Sequence, residues 1–482
     1  MRVFRWTLLP VLILSTLSHA QSVTDLWSNN CKSCHGDRGQ GGGAGTRSLL
    51  TDELFDQKFD RPFFDAVKLG LPDQGMAAFG ETLSDAKIWG LVVHIRELQA
   101  KERRDRLGAP KPDNGVYATQ HARYRIETVI DTKAGLEAPW SVDFLPDGRM
   151  LVADRPGRLR VFDPKSRTLS KPVSGTPAVR NRGQGGLMDV APHPDFADNG
   201  WIYLSFTDEL RKDGRSLGFT KVVRGRISPD NTWTDQQTIF HADPSQYSTS
   251  DLHFGCRLVF RKVQDHDRHH LFFCIGERGN GPLAQRLDRP NGKVFRVWDD
   301  GSIPSDNPFT SDTAAIPAIW SYGHRNPQGL VFDLEGRLWD TEHGPRGGDE
   351  LNLIRKGRDY GWPSVSFGIN YNDAPLVTPW PSGGRDIAMP TDRWIPSIGA
   401  CGLDVVRGDA FPDWRGDLLA GGLSGANIDR IRLTQGDSPA VLEREEILHG
   451  LGRVRDVVCG PEGHIYIALN APDKIIKLVP AH

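Results

Sequence analysis

Short apolar runs, each introduced by a polar turn, recur along the last three quarters of the chain. Pro146-Asp147-Gly148 precedes Met150–Ala153, Asp198-Asn199-Gly200 precedes Trp201–Phe206, and His266-Asp267-Arg268 precedes Leu271–Ile275. Leu334-Glu335-Gly336, Trp414-Arg415-Gly416 and Pro461-Glu462-Gly463 introduce Arg337–Thr341, Asp417–Ala420 and His464–Ala468 in the same way. Runs this short between turn signals predict strands rather than helices. Their spacing of about 45–80 residues suits a repeated sheet carrying long insertions. Six such strand pairs over roughly 360 residues predict a six-bladed β-propeller, an all-β fold. Tyr124–Val129 and Lys474–Val479 are both strand-like, and pairing them would close the ring within one blade.

The first hundred residues read differently. Residues 1–20 combine a positive start (Arg2, Arg5), an apolar stretch from Trp6 to Leu17, and Ser18 and Ala20 as small residues at a cleavage point. That is the pattern of a secretory signal peptide, and its roughly 12 apolar residues fall short of the ~20 that span a bilayer. A periplasmic location follows. Within 21–100 the apolar positions take helical spacing. Ser84 is placed to cap a helix whose Ile88, Leu91, Val92 and Leu98 share one buried face. A charged and then Pro/Gly-rich stretch over 101–120 reads as a linker. The expected organisation is therefore a small all-α domain at 21–100 and a propeller at 121–482.

Composition narrows the partners. Of the 482 residues, 52 are glycine and 33 proline, a load that favours turns over long helices. Formal charge is −2 with no basic block, which argues against a nucleic-acid partner. Past the leader no apolar run is long enough to cross a bilayer, so the mature chain is not expected to span a membrane.

Cys31-Lys32-Ser33-Cys34-His35 is a C-x-x-C-H motif. Two thiols one helical turn apart can add to the vinyl groups of haem while the adjacent His35 reaches the iron. A zinc site would need further ligands nearby, yet the next cysteine is Cys256. Met76 is the only methionine in this domain and the first choice for the sixth iron ligand, with His94 as the alternative. The segment resembles a class I cytochrome c, with covalent haem c that carries one electron.

Four propeller segments are denser in polar chemistry than packing requires: 183–187, 253–257, 323–329 and 342–350, the last running on to Tyr360-Gly361-Trp362-Pro363. Together with Gly452–Val457 they resemble the pyrroloquinoline-quinone-dependent aldose sugar dehydrogenases, six-bladed periplasmic propellers related to soluble glucose dehydrogenase. The resemblance runs from about Leu136 to Val479. It implies that His253 is the general base for the sugar's C1 hydroxyl, that Glu277 holds it, and that Gln184 contacts substrate. It implies quinone and substrate contacts at Arg325 and Asn326, with Gln328 beside them. Gly344 and Pro345 would hold the cofactor Ca²⁺ through their carbonyls, and Glu350 and Tyr360 a second, structural Ca²⁺. Arg453 and Arg455 would face the quinone's carboxylates. Ser424 stands where the glucose branch carries Lys, Ser397 where it carries Thr, and Leu252 where it carries Asp.

The implied activity is oxidation of an aldose to its lactone, with electrons passing from quinone to haem and then to an external acceptor. Two other readings fit the residues. One is a related quinoprotein acting on another alcohol or aldehyde. The other is a non-catalytic sugar- or protein-binding propeller tethered to an electron-carrier haem. Four cysteines remain beyond the haem motif, and strands 255–262 and 270–276 flank a polar loop, so a bridge between Cys256 and Cys274 is expected, with Cys401 and Cys459 as buried free thiols.

Overall fold

In the computed structural model, which describes residues 21–43, 46–264 and 266–481, the propeller region forms six antiparallel sheets of four strands, one of them extended by a fifth. The expected signal peptide, residues 1–20, lies outside the described residues. Blades 1 to 6 begin at Pro139, Leu187, Leu258, Pro327, Ala400 and Arg453. Their first strands touch in that order around a ring, the sixth against the first. Every turn-plus-run unit proves to be the second strand of its blade: Met150–Asp154, Ile202–Lys212, His269–Ile275, Leu338–Glu342, Leu418–Gly422 and Ile465–Asn470. These strands have a partner on each edge and are largely buried on both faces, which is why they read as continuous apolar runs. The ring closes as expected, with Arg123–Ile130 pairing antiparallel to Lys474–Pro480 in blade 6.

One buried guanidinium ties four blades together. Arg257, ahead of the first strand of blade 3, donates to Asp189 Oδ1 of blade 2 at 2.9 Å and to Gln328 O of blade 4 at 3.0 Å. Its Nη2 reaches Asp456 Oδ1 (2.9 Å) and Arg455 O (2.8 Å) of blade 6. Buried charges of this kind are tolerated only when paired and hydrogen-bonded.

The N-terminal region folds as helices α1 (Val23–Asn30), α2 (Lys32–His35), α3 (Asp60–Leu69) and α4 (Asp85–Leu107). Ser84 caps α4 by accepting from Lys87 N at 3.4 Å. Ile88, Leu91 and Val92 are buried as expected, and Leu98 is partly so. The helix continues to Leu107, so the first part of the expected linker is its last turns. Trp89, Gly90 and Val93 are buried as well, because a second face of α4 packs on the propeller. The receiving surface is the excursion 355–391 between the third and fourth strands of blade 4. There Trp89 Nε1 donates to Phe367 O at 3.1 Å, and Trp380 packs edge-on to Trp89 and Phe64. Buried Asp60 accepts from Arg96 of its own domain and forms an ion pair with Arg393 of blade 4. Farther along, Arg104 pairs with Glu446 at 2.7 Å. No described helix is long and apolar enough to cross a membrane.

The expected bridge between Cys256 and Cys274 does not form; all six cysteines are free. The register sets Phe273 opposite Leu258, so Cys274 faces Arg257 and its sulfur lies on the other side of the sheet from that of Cys256. Cys256 packs with Trp140, Met188 and Phe254, while the Cys274 thiol donates to Pro327 O. Cys401 is buried, whereas Cys459 is only partly so, with its sulfur accepting from Arg407 N at 3.2 Å.

Candidate functional site

The second strand of blade 4 ends at Glu342 and the third begins at Asp349, and the turn between them is built on glycine. A Cβ at Gly344 would stand 2.2 Å from Gly348 O, and Gly347 and Gly348 hold left-handed backbone at φ 80° and 70°. Buried Asp349 draws the turn inward. Its Oδ1 accepts from Gly344 N (2.9 Å) and Ser397 Oγ (2.8 Å), and its Oδ2 from Ala400 N (2.8 Å). This turn borders a cavity of about 390 Å³, lined by His343, Gly344, Pro345, Ser397, Ser424 and Arg453 among others. Five residues expected at the quinone or its Ca²⁺ thus line one cavity.

His253 stands close by, in left-handed backbone at φ 51°. Its N–H donates to Gln184 Oε1 at 2.8 Å, and its Nδ1 pairs with Glu277 Oε1. Glu277 N in turn donates to Arg325 O at 2.8 Å, which fixes the acid relative to the arginine. Arg278 clamps the approach by donating to Ser250 O at 2.6 Å and lying 3.3 Å over the Phe254 ring. Burial lowers the His253 pKa below 6.5; Glu277 opposes this, while Arg325 and Arg278 add to it. With Nδ1–H held by the carboxylate, Nε2 carries the free lone pair.

Arg325 donates through Nη1 to His343 O (3.0 Å) and Gly344 O (2.8 Å). Asn326 Oδ1 accepts from Gly255 N and from Gln328 Nε2, both at 3.2 Å, so Gln328 is turned inward as a support for Asn326. Arg453 and Arg455 do not keep simple alternation: a bulge between Val454 and Asp456 interrupts the pairing. Arg453 lines the cavity, while Arg455 lies 4.3 Å over the Trp140 ring and donates to Asn470 Oδ1 at 3.2 Å. His343, which sequence reading left without a role, sits among these groups. Burial first, then Arg325, His253 and Arg455, push its pKa down to about 3, and its Nε2 is buried without a partner. Asp349, Glu342 and Asp340 were likewise missed; only their place within or beside the 342–350 motif hinted at them.

Next to the turn lies a cluster of buried acids. Asp340, Glu342 and Glu350 converge with Asn352 and His324. Both Asp340 carboxylate oxygens and Asn352 Oδ1 lack partners. Burial raises the pKa of all three acids, and repulsion from Glu342 adds to the shift at Asp340 and Glu350. His324 is held neutral, its pKa down to about 3 through burial. Carboxylate and amide oxygens dominate this set, with His324 Nδ1 beside them, and the spare buried oxygens fit a hard cation such as Ca²⁺. The Tyr360 hydroxyl is spent on Leu353 O (2.6 Å) and Arg355 N (2.9 Å), so an oxygen ligand from this residue would be its main-chain carbonyl.

In the helical domain, Cys34 N and His35 N both donate to Cys31 O (3.1 and 2.9 Å), winding the C-x-x-C-H segment into one turn. Gly43 wraps this turn so closely that a Cβ there would lie 2.3 Å from Ser33 O. Cys31 and Met76 pack against the same apolar cluster, and His35 Nδ1 is buried without a partner. These residues fit a covalently held haem. His94 lies 5.2 Å from the Trp27 ring, which also packs on His35 at 6.2 Å; burial first, and Arg346 after it, lower the His94 pKa, while Glu97 and Asp373 oppose this.

Comparison with known proteins finds matches over both regions of the chain. Residues 136–477 match the model of the Glucose / Sorbosone dehydrogenase family, and residues 18–95 that of Cytochrome C oxidase, cbb3-type, subunit III. The aldose sugar dehydrogenase YliI of Escherichia coli is 40% identical over 354 residues, covering 72% of this chain and 91% of that protein. The crystal structure of the soluble aldose sugar dehydrogenase of Escherichia coli in the apo-form superposes with a TM-score of 0.65 at 37% identity, covering 74% of this chain and 100% of that one. The PQQ-bound aldose sugar dehydrogenase of Streptomyces coelicolor gives a TM-score of 0.59 at 26% identity, with 74% and 98% covered. A propeller matched from its first blade to its last, behind a cytochrome c domain, makes this chain a member of the glucose/sorbosone dehydrogenase family of oxidoreductases.

Proposed function

We propose that the protein is a periplasmic aldose sugar dehydrogenase that oxidises C1 of the sugar to the lactone and passes the electrons through haem c to an external carrier. The observation that carries this reading is the buried His253–Glu277 pair, joined through Glu277 N to Arg325 beside the cavity. Pyrroloquinoline quinone bound in that cavity would supply the two-electron acceptor for the C1 hydride, with Ca²⁺ at the Gly344 and Pro345 carbonyls polarising it.

His253 Nε2 takes the C1 hydroxyl proton, and Glu277 keeps the imidazole in one tautomer and stabilises the imidazolium that results. Arg325 brings a fixed positive charge to the region where negative charge develops. Arg453 offers a planar fork to a carboxylate, with Arg455 adding charge behind it. Ser397 and Ser424 bring hydroxyls to the same cavity. In the N-terminal domain Cys31 and Cys34 would hold the haem, His35 would ligate its iron, and Met76, packed against the same apolar cluster as Cys31, would be the other iron ligand.

The test is titration of the full chain with pyrroloquinoline quinone and Ca²⁺, followed by dye reduction with a panel of aldoses. Stoichiometric binding and aldose-dependent turnover are expected, with His253→Ala keeping the quinone and losing about 10²–10⁴ in kcat. Turnover only with other alcohols or aldehydes would favour the sister quinoprotein, and absence of quinone binding the non-catalytic propeller.

A further inference from the structure

Arg346 directly follows Gly344 and Pro345, and through it the helical domain grips that turn. Its Nε and Nη2 donate to Glu97 Oε1 and Oε2 of α4 at 3.0 and 2.8 Å, and its Nη1 donates to Asp373 Oδ1 at 2.7 Å. The main chain of Arg346 exchanges two hydrogen bonds with Ile369, at 3.0 and 2.8 Å. One helical turn before Glu97, Val93 comes within 3.5 Å of where a Cβ on Gly347 would stand. Among the described residues lining the 390 Å³ cavity, Glu97 alone comes from the helical domain.

The docking of that domain does not hang on Glu97. Asp60 with Arg96 and Arg393, Trp89 with Phe367, and Arg104 with Glu446 hold it independently. What Glu97 adds is an anchor on a segment that needs one. The turn is rich in glycine, so ordering it costs more backbone entropy than usual, and a pre-ordered turn has less to lose when a ligand binds.

We propose that Glu97 is a positioning residue of the quinone cavity: its two-pronged pair with Arg346 sets the turn that carries Gly344 and Pro345, so that docking of the cytochrome domain and retention of the quinone stabilise each other. This rests on the dehydrogenase reading above. By linkage the effect runs both ways, and quinone binding must steady α4 by as much as α4 steadies the quinone.

Two readouts on the full chain test this, and neither is turnover. The first is the dissociation constant for pyrroloquinoline quinone in Ca²⁺, followed by protein fluorescence. Glu97→Ala is expected to weaken binding roughly three- to tenfold, as loss of a partly exposed, two-pronged ion pair would. The second is hydrogen exchange of amides 94–100, which the quinone should slow in the wild-type chain and leave unchanged in the variant. Wild-type affinity and wild-type exchange response in Glu97→Ala would overturn the inference while leaving the dehydrogenase reading intact. A wild-type chain that binds no quinone would bring down both. Should the alanine variant loosen the whole domain, Glu97→Gln decides, since it keeps the shape and removes the charge: weaker quinone binding supports the inference, and wild-type binding overturns it.

Discussion

At His253, burial and neighbouring arginines act in one direction and Glu277 in the other, and burial is the largest influence. The imidazole is therefore neutral, and able to accept a proton, at pH 6.5 and above. Protonation switches it off, so the acid limb of kcat/KM for the sugar should be centred below pH 6.5. A pH–rate profile whose acid limb is centred at 7 or higher would contradict this environment for the base. Gln184, His253, Arg325, Asn326 and Glu350 stood out because they sit in compact polar segments, whereas Glu277, Ser397 and Ser424 came only through the family resemblance. Their individual geometry was not legible. Gln328 shares a segment with Arg325 and Asn326, yet its side chain supports Asn326, and the Arg453/Arg455 pair is split by a bulge that no spacing rule announces.

At the scale of elements, the 343–348 turn and the acids beside it form one unit. Asp349 accepts three hydrogen bonds that bend the turn toward Ser397 and Ala400, and Asp340, Glu342 and Glu350 lie next to it with spare oxygens. Three buried carboxylates without a cation oppose folding, so chelation should lower Tm and added Ca²⁺ should restore it with a saturable concentration dependence. In Glu350→Gln the Ca²⁺-dependent rise in Tm should shrink markedly. Thermal unfolding with and without chelator checks both, and a Tm indifferent to Ca²⁺ would remove the cation from this cluster. The second strands of the blades were readable because they are covered on both faces. The first strands were read less fully: Leu258–Lys262 falls within the expected strand 255–262, whereas Pro327–Phe332 and Ala400–Val405 carry a glycine that breaks the apolar run. Helix α4 was seen from one side only: its Ile88, Leu91 and Val92 stripe is evident, but the Trp89, Val93 and Glu97 face makes sense only once the 355–391 excursion is present to receive it.

Across the whole molecule, two buried ionic centres set the architecture. Arg257 joins blades 2, 3, 4 and 6, and Asp60 joins the helical domain to blade 4. Arg257→Met would leave Asp189 and Asp456 buried without their counter-charge, at a cost of about 3–5 kcal/mol. Denaturant unfolding should show that loss. Adding Asp189→Asn and Asp456→Asn to the same chain should recover much of it, whereas equal loss in single and triple variants would mean that Arg257 acts through packing. Neither centre was visible in the sequence, because each joins residues tens to hundreds of positions apart. The expected disulfide failed for a related reason: proximity along a hairpin does not place two thiols on the same face of a sheet.

The central claim is that sugar oxidation in the propeller feeds the cytochrome domain of the same chain. The most direct measurement is the visible spectrum of the oxidised, full-length protein supplied with Ca²⁺ and pyrroloquinoline quinone, before and after an aldose is added. The haem α-band should rise only when quinone and sugar are both present, and should stay flat in His253→Ala. A haem that remains oxidised while an artificial dye is reduced by the same sample would contradict the internal electron path. Failure of both haem and dye to be reduced, with quinone bound, would contradict the aldose dehydrogenase itself.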